Sequence, residues 1–318
     1  MAITISGSGI TSANIADGTI TTDDILASDV VSLKSGRKNL IINGGMDVSQ
    51  RGDYSTATTL TNGTYYLDRF KTVLGGTATY THKSNQLVDG KYVNTLLMTM
   101  TSTGYAATQQ FVEDFAKLKG QTLTLSVWVK SNKAGANIGI YDGVSQTNSS
   151  SHTGGGGWEK LTVSHTCSTS TTLMRTEVWT TTGAVVGSYI EFTGIQLELG
   201  SVATDFEHRS YGEELALCQR YYQRVSSTFS MQGTRWATTH YCTHQMPVTM
   251  RDSPTFLVSA SSAFTVFCAS SANTSTLAVL VTSGKDSVEI EITSTQTANS
   301  AFVRFSGSSH WFSLDAEL

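Results

Sequence analysis

The chain has 318 residues, a formal net charge of −4 and only 14% charged residues, against about 25% in typical globular proteins. It contains 40 Ser and 48 Thr and has no run of Lys or Arg, so nucleic-acid binding through neutralised phosphates is excluded as a first interpretation. Neither a long apolar segment nor a secretory signal pattern is present, and we expect a soluble protein that is made in the cytoplasm and does not insert into a membrane.

Residues 1–38 show an unusual repeat. Ile10, Ile15, Ile20 and Ile25 recur every five residues, a period that fits neither a helix face nor a strand face. One copy of such a segment cannot bury its isoleucines alone. We therefore predict that residues 1–38 serve trimerisation and attachment to a partner, with a disordered tether as the alternative.

Residues 39–207 carry the alternation of a β-sandwich. From Leu123 to Lys130, apolar residues alternate with polar or aromatic ones, which predicts that Trp128 and Lys130 point away from the core. Residues 174–179 and 188–199 repeat this arrangement, and Gly194 predicts a bulge that changes its phase. The outward residues predicted in these two segments are Arg175, Glu177, Trp179, Tyr189, Glu191, Gln196 and Glu198.

A short helix is predicted over residues 208–225. Ser210 and Glu213 form an S-x-x-E capping box, and apolar residues recur at helical spacing through Tyr222 and Val225. Alternation returns in residues 226–318, which predicts a second, smaller β-sandwich. The fold class expected is all-β: a jelly-roll sandwich, a connecting helix, a distal sandwich and an extended N-terminal segment.

The cysteines are too far apart for a zinc or redox motif. They are Cys167, Cys218, Cys242 and Cys268, and we expect them to be reduced core residues. No metal and no cofactor is predicted. Asp47 and Glu198 could supply oxygen ligands to a structural calcium ion, but two carboxylates without a loop signature do not establish such a site.

Several segments resemble tail fibres and related virion proteins of tailed bacteriophages, especially those of cyanophages. They are the N-terminal segment with its Asn14–Ile20 run NIADGTI, the opening Asn39–Gly52, a Tyr65–Phe70 strand, the runs Gln196–Ser201 and Phe206–Ser210, Cys218–Tyr222, and Met250–Thr255. Residues 39–207 also resemble jelly-roll carbohydrate-binding modules, with a galactose-binding-like sandwich, although Met46 stands where those modules usually have an aromatic residue.

The resemblance implies a homotrimeric phage tail fibre that is attached through its N-terminal segment to tail or baseplate proteins. It further implies that the protein is part of the virion and binds a host surface polysaccharide or lipopolysaccharide. A purely structural tail or baseplate component is the alternative.

Glycan recognition uses aromatic ring faces surrounded by hydrogen-bonding groups. In residues 39–207 the candidates are Trp128, Lys130, Arg175, Glu177, Trp179 and Tyr189. In the distal region the candidates are Trp236, His240, Tyr241 and Trp311. Packing in a core or between subunits is the alternative role for each of them.

No catalytic residue is predicted. The sequence has no GxSxG, HExxH, P-loop or GxGxxG motif. The pairs Glu177 with Glu191 and Asp205 with Glu207 could be proposed for glycoside hydrolysis, but surface charge explains them better. We expect adhesion without catalysis, and a polysaccharide depolymerase is the least favoured alternative.

Overall fold

The structure, a computed structural model, describes residues 37–226, 230–237, 239–259, 264–268, 271–274, 277–293, 300–305 and 310–317. The isoleucine repeat at Ile10, Ile15, Ile20 and Ile25 lies outside the described residues. The described part is almost entirely β-structure, which confirms the all-β fold class. None of its helices is long and apolar enough to cross a membrane.

The N-terminal lobe, residues 39–209, contains eleven strands and one 3-10 turn at Phe115–Leu118. The strands are β1 (Thr58–Thr59), β2 (Lys71–Leu74), β3 (Ala78–Val88), β4 (Lys91–Met100), β5 (Ala106–Phe111), β6 (Thr122–Ser131), β7 (Asn137–Tyr141), β8 (Gln146–Asn148), β9 (Trp158–Thr166), β10 (Arg175–Trp179) and β11 (Tyr189–Leu199).

Two antiparallel sheets form this lobe. The six-stranded sheet has the order β1-β3-β4-β11-β6-β9, and the five-stranded sheet has the order β2-β5-β10-β7-β8. Apolar side chains of both sheets meet in one buried core, for example Val127 and Phe192 from the first and Ile138 and Val178 from the second. Each sheet therefore has an inner face on the core and an outer face.

The predicted alternation is confirmed in β6 and β11. Val127 and Val129 are fully buried, whereas Trp128 and Lys130 on the other side of β6 are only half-buried. The register between β11 and β6 shifts between Thr193 and Gln196, and Gly194 has φ +63°. The predicted bulge is therefore present. It shifts the alternation of inward and outward side chains along β11, so that Ile195 is buried in the core.

Residues 200–209, here called the crossing segment, cover part of the outer face of the six-stranded sheet. The Oε1 of Gln196 accepts from the backbone N of Glu207 at 2.8 Å, and the Oε1 of Glu198 accepts from the backbone N of Thr204 at 2.8 Å. Gln196 and Glu198 point outward as predicted, yet they are buried under this segment.

The predicted strand Tyr65–Phe70 is wrong. These residues form a turn in which the backbone N of Phe70 donates to Leu67, and only Tyr65 makes an isolated bridge, to Lys71. Arg69 has φ +74°, which no strand allows. The turn buries Asp68 and Arg69, whose side chains bond to residues far away in sequence.

Helix α1 spans Tyr211–Gln219 and is shorter than predicted. The Oγ of Ser210 accepts from the backbone N of Glu213 at 3.3 Å, which confirms the predicted N-cap. Tyr222 and Val225 belong instead to a strand, because Tyr222 pairs with Asp315 in an antiparallel ladder.

Within its described residues, the C-terminal lobe contains ten strands. They are β12 (Tyr222–Ser226), β13 (Ser230–Trp236), β14 (Thr239–Gln245), β15 (Thr255–Val258), β16 (Phe264–Cys268), β17 (Ser271–Thr274), β18 (Leu277–Ser283), β19 (Ser287–Thr293), β20 (Ser300–Phe305) and β21 (Trp311–Asp315). A three-stranded sheet, β12-β21-β15, and a seven-stranded sheet, β17-β16-β20-β13-β14-β19-β18, share a second core that includes Ile290, Ile292 and Phe312.

Buried polar contacts join the two lobes. The guanidinium of Arg51 pairs with Asp315 at 2.9 Å and with Glu317 at 3.1 Å, and Arg69 also pairs with Glu317. The guanidinium of Arg69 lies 3.5 Å from the ring centre of Tyr221. The C-terminal residues are thus fixed to the N-terminal lobe by charge as well as by packing.

Candidate functional site

A cleft of about 340 Å³ lies on the outer face of the six-stranded sheet. Its lining comes from the opening segment, the β3–β4 hairpin, the strands β6, β9 and β11, and the crossing segment. The lining residues are Gly45, Asp47, Asn85, Val88, Asp89, Lys91, Tyr92, Val93, Asn94, Ser126, Trp128, Lys160, Thr193, Gly194, Asp205, Phe206 and His208.

Trp128 forms the base of the cleft. Strand alternation points its ring outward, and its cross-strand neighbours are Thr193 on β11 and Lys160 on β9. Ser126 and Gly194 add only small groups beside it. An indole ring among such small neighbours can receive the apolar side of a ring-shaped ligand.

The bulge at Gly194 brings Trp128 close to Phe206 of the crossing segment. A Cβ at Gly194 would lie 3.6 Å from Cδ1 of Trp128 and 3.8 Å from Cδ2 of Phe206. The ring of Phe206 packs edge-to-face on His208, with the ring centres 4.9 Å apart. Trp128 and Phe206 therefore both lie next to Gly194, and Phe206 and His208 line the same cleft.

The β3–β4 hairpin forms the opposite wall. Its two-residue turn, Asp89 and Gly90, has φ values of +48° and +73°, and positive φ at both central residues is what an Asp-Gly hairpin turn requires. Val88 pairs with Lys91 across this turn, and Tyr92 next to Lys91 is 74% exposed. The hairpin thus brings a further aromatic ring and two charged groups to the cleft.

The opening motif Asn43–Val48 holds Asp47 at the edge of the cleft. Asn43 and Met46 have φ values of +62° and +61°, and the side-chain amide of Asn43 bonds to the backbone N and O of Val48 at 2.9 and 2.8 Å. A Cβ at Gly44 would clash with the carbonyl oxygen of Ile195. The motif therefore forms a tight turn whose conformation is fixed by its own residues and by β11.

The carboxylate of Asp47 is oriented by Asn94, whose Nδ2 donates to Oδ1 at 2.9 Å. Partial enclosure by the cleft raises the pKa of Asp47, against the lowering influence of the Asn94 hydrogen bond and of His208 and His82. The Oγ1 of Thr193 donates to the carbonyl oxygen of Asn94 at 2.7 Å. The acceptor Asp47 is thereby connected to the strands around Trp128.

Lys130 and Tyr189 share a sheet with Trp128 but do not line the cleft. The Nζ of Lys130 lies 3.8 Å from Oε2 of Glu191 and 5.8 Å from the ring centre of Trp158. Glu191 also accepts from Lys83 at 3.2 Å. Lys130 is therefore engaged in a charge network beside the cleft.

Arg175, Glu177 and Trp179 lie on β10 of the five-stranded sheet, on the opposite side of the sandwich from Trp128. Glu177 accepts from Nε of Arg175 at 2.6 Å and from Nε2 of Gln109 at 2.6 Å. The Trp179 ring covers Gly139, where an added Cβ would come within 2.9 Å of it. The predicted set therefore divides between two faces and cannot form one site, and Glu177 and Glu191 are separated in the same way.

The distal candidates are also dispersed. His240 is fully buried, because the alternation of β14 places it with Cys242 in the core, where its partner in the register is Ile292; its predicted surface contact is wrong. Tyr241 points the other way and its OH donates to Glu291 at 3.4 Å. Trp236 is 77% exposed at the end of β13, whereas Trp311 is half-buried under the guanidinium of Arg224, 4.6 Å from its ring centre.

The residues considered for calcium have other partners. Glu198 accepts from Thr204, and Asp47 accepts from Asn94. In the part of the chain that the structure describes, no group of three His, Cys, Asp or Glu residues could hold a metal ion. Cys167, Cys218 and Cys242 are buried free thiols, as predicted, and the side chain of Cys268 lies outside the described residues.

Sequence reasoning found Trp128 but missed most of the walls. No sequence pattern marks Tyr92, Asn94 or Lys160 as a binding residue. Phe206 and His208 belong to the run Phe206–Ser210, whose only distinguishing feature in the sequence is its resemblance to phage tail fibres. A usable signal was the Asp89-Gly90 turn, because it places the residues that follow it on a projecting hairpin.

No protein-family model and no curated protein matches this chain. Solved structures with a similar fold cover about half of it. One is the enzymatically active domain of tailspike protein 4 from bacteriophage CBA120, with 15% identity and a TM-score of 0.36, over 51% of this chain and 21% of that one. This chain thus matches about a fifth of the tailspike domain's length.

Two further similar structures differ in what they do. The carbohydrate-binding module TmCBM61, in complex with β-1,4-galactotriose, has 14% identity and a TM-score of 0.29, over 52% of this chain and all of that one. A cyclase from Fischerella has 11% identity and a TM-score of 0.38, over 53% of this chain and all of that one. These similarities assign neither an activity nor a ligand to this chain.

Proposed function

We propose that the protein is a tail-fibre adhesin of a bacteriophage, which attaches to glycans of the host surface through the cleft around Trp128 and performs no catalysis. The observation that carries the glycan part is the outward indole of Trp128 at the base of a cleft whose walls supply carboxylates, an amide and lysines. Sugar rings pair an apolar face with a rim of hydroxyl groups, and this cleft is complementary to both.

The virion part of the proposal rests on the resemblance of the ordered segments described above. It includes a homotrimer assembled through residues 1–38 and attachment to tail or baseplate proteins. Three copies present three clefts, and such multivalency strengthens attachment by about 10²- to 10⁴-fold without any new contact. Mass measurement of the full chain in solution tests this part: three copies per particle are expected, and a monomer would contradict it.

A glycan array tests the adhesion part. Trp128→Ala is expected to weaken binding about thirtyfold or more, because truncation of a central aromatic residue removes about 2 kcal/mol or more of binding free energy. Trp179→Ala is the matched control, since Trp179 lies on the opposite sheet. Equal glycan binding by the parent and both variants would refute the proposal that this cleft binds glycans. Release of new reducing ends from host polysaccharide would refute the proposal that the protein performs no catalysis.

A second candidate function is contact with other virion proteins alone. The observation that favours it is the 77% exposure of Trp236, a large apolar side chain on the distal lobe. In that case no glycan is bound, and Trp236→Ala reduces incorporation into particles while Trp128→Ala has no effect.

A further inference from the structure

Carboxylates outnumber lysines in the lining of the cleft, and these carboxylates have no ion-pair partner. Three aspartates, Asp47, Asp89 and Asp205, line it together with Lys91 and Lys160. Among the residues that the structure describes, no salt bridge involves any of these three carboxylates. One of the two lysines is also engaged, since the Nζ of Lys160 donates to the carbonyl oxygen of Thr204 at 3.3 Å.

Asp47 is held in place by its neighbours. Its backbone belongs to the tight Asn43–Val48 turn, and its Oδ1 accepts from Asn94. Its Oδ2 lies 2.8 Å from where a Cβ at Gly45 would be, so the glycine leaves room for this position of the carboxylate. Asp47 can therefore present its remaining acceptor capacity to a ligand from a defined position.

An ionised carboxylate only accepts hydrogen bonds, and a sugar hydroxyl can donate one. Such charge-assisted bonds are about twice as strong as neutral ones. A uronic acid or a sulfated sugar instead carries a negative group that cannot donate, and it would meet a lining in which three carboxylates outnumber two lysines. The same group that strengthens binding of a neutral sugar therefore opposes binding of an anionic one.

From this geometry we infer that the cleft selects neutral glycans over uronic-acid and sulfated glycans, and that Asp47 is the residue that determines this selectivity. The inference rests on the proposed function of the same cleft. It adds a ligand class and assigns a specific role to the opening motif, whose turn holds the discriminating carboxylate in place.

The test uses the full chain on an array that carries neutral oligosaccharides of glucose, galactose and mannose beside the corresponding uronic-acid oligomers and sulfated galactans. The parent is expected to bind neutral ligands only. Asp47→Asn keeps the shape of the side chain but removes its charge. We expect about tenfold weaker binding of the neutral ligand and a measurable gain for its uronic-acid counterpart.

Asp114→Asn is the matched control, because Asp114 is an exposed carboxylate outside the cleft that pairs with Lys117. This substitution removes the same charge and is expected to change the binding of neither the neutral ligand nor the uronic-acid ligand. Thermal unfolding of each variant shows that the fold is retained.

The outcomes separate the two proposals. Absence of any glycan binding, or binding that Trp128→Ala leaves intact, refutes the function proposed for the cleft. Binding that requires Trp128 but is unchanged by Asp47→Asn, or that favours uronic acids in the parent, leaves that function standing and overturns the selectivity.

Discussion

Arg69 of the N-terminal lobe and Glu317 at the end of the C-terminal lobe form an ion pair in which the two side chains are only 2% and 4% exposed. Arg51 reaches the same carboxylate at 3.1 Å and also pairs with Asp315 at 2.9 Å, so two carboxylates compensate two guanidinium groups. Glu317 is the one that contacts both guanidinium groups at the junction of the lobes.

Glu317→Gln is expected to lower the free energy of unfolding by about 3 to 5 kcal/mol, because removing one partner of a buried pair leaves charge without compensation. Chemical denaturation followed by tryptophan fluorescence measures this loss. Asp114→Asn breaks the exposed pair with Lys117 and should lower it by less than about 1 kcal/mol. Equal effects of the two substitutions would mean that the junction is not held by charge.

Asp68 makes stability depend on pH. Burial raises its pKa from 3.8 to about 6, although its oxygens accept from the backbone N and Nε2 of Gln50 and it lies near Arg51. Between pH 4 and 6 the unfolded chain loses this proton before the folded one does. The stabilisation contributed by the protonated form is therefore complete below pH 4 and is lost as pH rises through 6.

Comparison of the parent with Asp68→Asn isolates this contribution, because the other titrating groups cancel in the difference. From pH 4 to pH 7 the parent should lose about 2 to 3 kcal/mol of unfolding free energy relative to the variant, since one pKa unit corresponds to about 1.4 kcal/mol. Urea denaturation at the two pH values measures the change. A difference that is constant with pH would show that the pKa of Asp68 is not raised.

Gly194→Ala should affect both stability and the cleft. A side chain at φ +63° is strained by roughly 1 to 2 kcal/mol, and the new methyl group would lie between Trp128 and Phe206. We expect a lower melting temperature together with weaker glycan binding. Gly155→Ala is the control, because no atom lies within 4 Å of its Cβ position, and it should behave as the parent does.

The buried cysteines should resist thiol reagents. Burial raises the pKa of Cys167 to about 11 and that of Cys242 to about 12, and it raises the pKa of Cys218 as well. In a Cys268→Ser background, the native protein is expected not to react with an aromatic disulfide reagent at pH 8, whereas denaturant releases three thiols. Rapid labelling of the native variant would mean that the cores open on the timescale of the assay.

Much of the fold follows from alternation, which is a local property. The strand Leu123–Lys130 and the bulge at Gly194 are predictable because the alternation of apolar and polar residues along a strand indicates which side chains face the core. The helix was extended too far, since the spacing of Tyr222 and Val225 fits a helix although pairing with β21 makes this segment a strand. That pairing joins residues about 90 positions apart, so it cannot be predicted from a local sequence pattern.

The site was predicted only in part for a related reason. Alternation correctly predicts that the side chains of Trp128 and Trp179 point outward. It does not indicate to which sheet each strand belongs, and the two tryptophans lie on opposite sides of the sandwich. His240 and Tyr241 are neighbours in one strand, so both could not face outward. The walls of the cleft come from Asp47, Tyr92 and Phe206, and only the tertiary fold brings these together.

The crossing segment also has a mechanical consequence. Asp205, Phe206 and His208 form a wall of the cleft, and two residues beyond His208 the chain reaches Ser210, the N-cap of α1, which leads into the C-terminal lobe. Between them, Arg209 donates to the carbonyl oxygen of Ile41 at 2.9 Å, so tension on that lobe would load this bond before it reached Phe206. For the adhesin proposed above, the wall of the cleft would thus be shielded from the load that the molecule carries.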